Sequence, residues 1–267
     1  MGRLVGSLHA GDGGHDVTLL VNAAPAMGLI FGLGSVIVAL AYGALAGRML
    51  GERTGTLSGG LLLAWIAWNT GDLGMILRFD GSAATLVKIA VEAALVGGLV
   101  LAGTALIARM ASDTEPKATR LGDELKALCT PASLAGMAAG AAAALAIAWV
   151  VAFDGMRGQA LMAAVIGAIG AGAVSRLVAM SLADGHPARL MPYASVLLAA
   201  VVGPLIGLAV PGAANLSSAV IDGTIAGPLL VEPLDWAAAM LLGVPIGIGW
   251  TAAITHSAGE SKPAAAR

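Results

Sequence analysis

Charge is scarce in this chain. Only 11% of its 267 residues are Asp, Glu, Lys or Arg, where a soluble domain carries roughly 25%, and that deficit excludes an ordinary water-facing surface. The net charge of −2 excludes the basic footprint that nucleic-acid binding requires. A single cysteine, Cys129, excludes an internal disulfide and a thiolate metal cluster. The histidines His9, His15, His186 and His256 include no pair at i, i+4, so a helical zinc site is excluded as well. There is no GxSxG nucleophile turn, no HExxH and no phosphate-binding P-loop. An intramembrane serine protease would need its nucleophile in a middle span with a later intramembrane His. The nearest match, Gly32-Leu33-Gly34-Ser35, lies in the first apolar run, and His256 sits at a membrane edge. The chain points away from an enzyme and calls for no cofactor.

What remains is apolar and small. Hydrophobic residues make up 58% of the chain, glycine contributes 38 residues and aromatics only 4%. The apolar residues come in blocks, and a spanning helix needs about 20 of them. The fold class is therefore an all-α polytopic membrane protein. Residues 1–24 read as a polar tail outside the membrane, and 25–255 as one transmembrane domain. Its spans are expected at about Pro25–Met49, Ser58–Phe79, Ala83–Met110, Pro131–Phe153, Gln159–Leu182, Leu190–Val210 and Leu234–Thr255. Residues 256–267 read as a cytoplasmic tail. The charged loop 111–130 carries Leu121, Leu125 and Leu128 at helical spacing, which predicts a short amphipathic helix at the headgroups.

Lys and Arg resist translocation, so their distribution sets orientation. Arg48, Arg53, Arg109, Lys117, Arg120, Lys126, Arg189, Lys262 and Arg267 fall on one side of the alternating loops, against Arg3, Arg78 and Arg157 on the other. This places the N-terminus outside and the C-terminus in the cytoplasm, with a bacterial plasma membrane as the expected location. Asp12, Asp16, Asp80, Asp154, Asp222, Glu232 and Asp235 then form an acidic outer face that concentrates cations, or merely the charge that positive-inside leaves there. His9, Asp12, His15 and Asp16 offer metal-binding side chains in a glycine-rich tail. Phe79-Asp80-Gly81, Phe153-Asp154-Gly155 and Ile221-Asp222-Gly223 all occur in outside connections. They read as three turns, or as the marks of a lone helix followed by three related hairpins.

The second and third spans hold the strongest chemical signal. Asn69 and Asp72 share one helix face, and Lys88 and Glu92 share another. Measured from the outer end at 1.5 Å per residue, Asp72 lies about 10 Å deep, Lys88 about 7 Å and Glu92 about 13 Å. Lys88 is thus expected between two carboxylates. An unpaired charge at a helix centre costs about 2.5–3.5 kcal/mol even on the mildest scale. The cluster reads either as a register-fixing ion pair or as a path for a small cation, proton or solute. Arg176 is a secondary candidate within snorkelling reach of the cytoplasmic interface. Pro204 and Pro245, each flanked by glycines, signal broken helices whose freed carbonyls coordinate ions. The pairs Gly28/Gly32, Gly43/Gly47, Gly136/Gly140, Gly203/Gly207 and Gly243/Gly247 predict close helix packing. Two functions stay open: a small transporter or ion-translocating component, and a non-catalytic subunit packed against other membrane subunits or copies of itself in the bilayer.

Overall fold

Each apolar run becomes a helix, because in lipid every backbone N–H and C=O must find a partner within its own segment. In the computed structural model, residues 8, 16–111, 121–153, 156–182, 187–210 and 212–260 are described. Among them are seven helical segments long and apolar enough to cross a membrane. Span 1 is Pro25–Leu50, span 3 Ala83–Ala111, span 4 Pro131–Val151, span 5 Arg157–Leu182 and span 6 Met191–Ala209. Span 7 is the front of the helix Pro233–Glu260. Span 2 starts earlier than expected and comes in two pieces, Glu52–Trp68 and Leu73–Phe79. No strand occurs among the described residues. The protein is an all-α polytopic membrane protein. The helix expected in the charged loop is present at Leu121–Leu128.

Span 7 is the central element and packs against spans 2, 3, 5 and 6. Residues 231–241 are buried without interruption, Glu232 and Asp235 among them, as suits an element with neighbours on every side. Spans 4 and 5 pack as a tight hairpin, but spans 2 and 3 touch little; span 1 lies against both. Several of the predicted close helix approaches exist, each with a specific partner. A Cβ at Gly55 of span 2 would fall 2.6 Å from the Gly43 carbonyl oxygen and the Gly47 Cα of span 1. At Gly243 and Gly247 it would fall 2.5 Å and 2.1 Å from the Val165 and Ile169 carbonyls of span 5. Gly28 and Gly32 seat no neighbouring span: Leu19, from the chain's own N-terminal segment, fills that groove.

That segment departs from the expected polar tail. Val17, Thr18 and Leu19 are buried at one end of the bundle. Asn22 holds the turn into span 1, donating to the Thr18 and Leu19 carbonyls and accepting from the Ala24 amide. The connection between spans 6 and 7 folds over the same end. Its short helix Leu216–Ile221 packs on Leu73–Phe79, with the Ser217 hydroxyl donating to the Leu77 carbonyl at 3.3 Å. At the opposite end, Arg189 pairs with Glu52, and its amide donates to Glu124 at 3.0 Å.

The position of the broken helix differs from the expected one. Spans 6 and 7 carry Pro204 and Pro245 inside continuous helices, and the adjacent glycines face neighbouring elements. The interruption falls in span 2, at Asn69-Thr70-Gly71-Asp72. Asn, Thr and Asp side chains compete with the helix for local backbone bonds. Here the Asn69 amide donates to the Trp65 carbonyl at 2.7 Å, and Asp72 caps the second piece by accepting from the Gly74 amide at 2.7 Å.

Candidate functional site at the break in span 2

The break leaves carbonyls at the end of Glu52–Trp68 in need of donors. Arg157, the first residue of span 5, serves one of them: its Nε donates to the Ala67 carbonyl at 3.1 Å and its Nη2 at 2.5 Å. A cation at a helix C-terminus is also favoured by the helix dipole. The same guanidinium reaches Asp235 at 2.7 Å and Glu232 at 3.2 Å. These carboxyls belong to the start of span 7, where Pro233 opens the helix. Asp235 accepts from the Glu232 amide at 3.1 Å, one half of a capping box, and the helix N-terminus favours their charge. The Thr70 hydroxyl joins the network at 2.5 Å from Glu232.

Glu232 and Asp235 are 1% and 0% exposed, so they do not belong to the acidic outer face on which the sequence placed them. Arg157, counted among the loop charges, is likewise mostly buried, at 16%. Burial pushes the Glu232 carboxyl well above the ordinary carboxylate range; the Arg157 guanidinium opposes this rise, and Asp235 and Glu92 add to it. The one sequence cue to this network was the pattern Glu-Pro-x-Asp at a helix start, which specifies a cap and says nothing of its partner across the bundle.

On its other side the break is held by the N-terminal segment. The Asp72 amide donates to Asp16 at 2.9 Å, and the Gly71 amide donates to the Val17 carbonyl at 3.3 Å. A Cβ at Gly71 would lie 2.2 Å from the Asp16 Cα, so only glycine admits this crossing. Above the break opens a cleft of about 480 Å³, lined by Asp72, Met75, Arg78, Phe153, Arg157 and Ile225 among others. That volume falls in the range of small-molecule sites, roughly 300–1,000 Å³.

The bridge expected from Lys88 is not made. Lys88 is exposed on the flank of span 3 and forms no ion pair among the described residues. Equal depth brings two side chains together only in a closed hairpin, and spans 2 and 3 diverge at this level. Glu92 is buried at 1% exposure and accepts from the Leu20 amide at 3.0 Å, with the Thr18 hydroxyl and the Leu19 amide also directed at it. It anchors the N-terminal segment to span 3. Glu92→Ala is therefore expected to free that segment, raising amide hydrogen exchange at residues 17–22 about tenfold or more, as losing a bond to a charged group implies.

Among the other candidates, Asn69 and Asp72 sit at the break itself. Arg176 lies about 28 Å further along span 5 than Arg157, partly buried, its Nε without a hydrogen-bond partner among the described residues. Of the residues considered for metal binding, His9, Asp12 and His15 lie outside the described residues, as does Asp154 of the second Asp-Gly turn. The other two turns are helix ends: Asp80 and Asp222 occupy C-terminal cap positions, and Gly223 has φ +65°. Trp65, Trp68, Trp149 and Phe153 are exposed, an arrangement that suits an interfacial belt.

No family model, characterised protein or solved structure matches the chain. Fold and site define it by class, as a helical membrane protein with one interrupted span and a buried ionic network beneath a cleft.

Proposed function

We propose that the protein is a small-solute transporter, with the cleft over the span 2 break as its solute site. The observation that carries this reading is the coincidence of an interrupted span, an open cleft and a charged side chain, Asp72, at one place. Interrupted helices supply dipole ends and free backbone groups where a solute must be bound and released. Asp72 and the Arg78 guanidinium offer charge of both signs, and Met75, Phe153 and Ile225 offer an apolar wall. The solute class this favours is a small organic molecule with a charged head and an apolar body. With the orientation given by the Lys and Arg distribution, the cleft faces outward. The competing role, a packing subunit, draws support from Glu92, which is sealed and serves as an anchor.

The test is uptake into proteoliposomes from a panel of amino acids, organic cations and carboxylates. One of these classes should accumulate, and Asp72→Asn should reduce its uptake about 10- to 100-fold, the worth of a hydrogen bond to a charged group. In parallel, Met75→Cys in a Cys129→Ser background should react with an impermeant maleimide from outside. A protein that moves no member of the panel and leaves Met75→Cys unlabelled is not a transporter of this kind.

A further inference from the structure

The network at the base of the cleft contains more acceptors than its donors can serve. The Thr70 oxygen lies 2.6 Å from the Ala67 carbonyl oxygen and 2.5 Å from Glu232 Oε2. Two oxygen–oxygen contacts this short each need a hydrogen between them, and a hydroxyl has one. Arg157 does not supply the second. Its Nη2 donates to the Thr70 oxygen at 3.0 Å and stands 3.2 Å from Glu232 Oε2 as an ion-pair contact, which puts no hydrogen between the two oxygens. The charge balance points the same way. Among the described residues, Arg157 is the only cation in ion-pair reach of Glu232 and Asp235. Glu232 Oε1 and Asp235 Oδ1 are buried with no partner among the described residues. Two ionised carboxylates around one guanidinium would leave a buried net negative charge with no second cation to offset its desolvation.

We propose that Glu232 is a proton-binding site, neutral in this structure, whose proton bridges its carboxyl to the Thr70 oxygen. Thr70 then gives its own hydrogen to the Ala67 carbonyl, and Arg157 and Asp235 form a neutral pair. The groups facing Glu232 are Arg157 from span 5, Thr70 from span 2, Asp235 from its own helix and, at longer range, Glu92 from span 3. A proton is favoured over a metal ion because no group of three or more His, Cys, Asp or Glu side chains among the described residues is placed to hold one. Loss of the proton turns the Thr70 hydrogen toward Glu232 and draws Arg157 toward two carboxylates. Both moves take donors from the Ala67 carbonyl. Under the transport reading, on which this last step rests, proton release loosens the helix break beneath the solute.

The experiment is infrared spectroscopy of the full chain in lipid nanodiscs, comparing wild type with Glu232→Gln and Glu92→Gln. At neutral pH the wild type should show a protonated-carboxyl C=O band that Glu232→Gln lacks and Glu92→Gln keeps. Raising the pH should remove this band only above the ordinary carboxylate range. Wild-type and Glu232→Gln spectra that superimpose in the protonated-carboxyl C=O region at neutral pH would overturn the proposal. So would a Glu232-dependent carboxylate band that responds to sodium at constant pH, since that marks a cation site. If Glu232→Gln does not fold, Thr70→Val keeps the carboxyl and removes its partner. It must shift the protonated band, and an unshifted band also overturns the proposal. The measurement reads the carboxyl and not flux, so the proton site stands or falls independently of every transport assay.

Discussion

Arg157→Met is expected to destabilise the protein by about 3–5 kcal/mol, the range for removing one partner of a buried ion pair. The substitution keeps most of the side-chain volume and removes five donors. Asp235 loses its counter-charge, and the Ala67 carbonyl loses both of its guanidinium bonds. The two pieces of span 2 are joined only by Asn69–Asp72, so the break loses its clamp with the charge. Thermal unfolding in nanodiscs would register the effect. The triple variant Arg157→Met/Glu232→Gln/Asp235→Asn should recover part of the loss, because it leaves no buried charge behind. If the single variant melts with the wild type, the network is not what holds the break.

Gly247→Leu should be comparably damaging for an unrelated reason. Span 7 lies so close to span 5 that a Cβ at this position falls 2.1 Å from the Ile169 carbonyl oxygen and 2.9 Å from the Ala173 nitrogen. These are backbone atoms and cannot rotate aside. The helices must separate, and overpacking of this kind costs about 1–3 kcal/mol or more. In lipid, dispersion between close backbones is a main source of helix association, so the loss is not made up by burying the larger side chain. Gly249 is two residues along the same helix with nothing within 4 Å. Gly249→Leu is the control, expected within about 0.5 kcal/mol of wild type. Equal behaviour of the two variants would contradict the span 5–span 7 contact.

The raised affinity of Glu232 for its proton fixes the sign of the pH dependence. A carboxyl held above its ordinary range in the folded state binds more protons folded than unfolded. Its stabilising contribution is complete below the unfolded value and is lost as pH rises through the folded one. Wild-type melting temperature should therefore fall as the pH is raised from about 5 toward 9, and Glu232→Gln should flatten that slope. A slope that Glu232→Gln leaves unchanged would contradict this assignment.

The number of spans and most of their limits were legible in the sequence, because the need of about 20 apolar residues per crossing is a one-dimensional requirement; the start of span 2 and its division at Asn69–Asp72 were not. The sequence also marked Gly43, Gly243 and Gly247 as contact residues, since missing side chains matter wherever helices touch. The tertiary structure decided which charges meet. Lys88 and Glu92 share a face of one helix, yet Glu92 turns to the N-terminal segment while Lys88 stays exposed. Arg157, Glu232 and Asp235 looked like loop charges, Arg157 78 residues before Asp235. They meet because spans 5 and 7 begin at the same end of the bundle and pack side by side. Neighbour relations among seven helices are not written in their hydropathy. The break was the intermediate case: Asn-Thr-Gly-Asp carries a turn signal, but a polar run in a span also suits an unbroken helix face. What settled it was the partner set of Arg157, Asp16 and Val17, which satisfies the freed backbone only once the chain is folded.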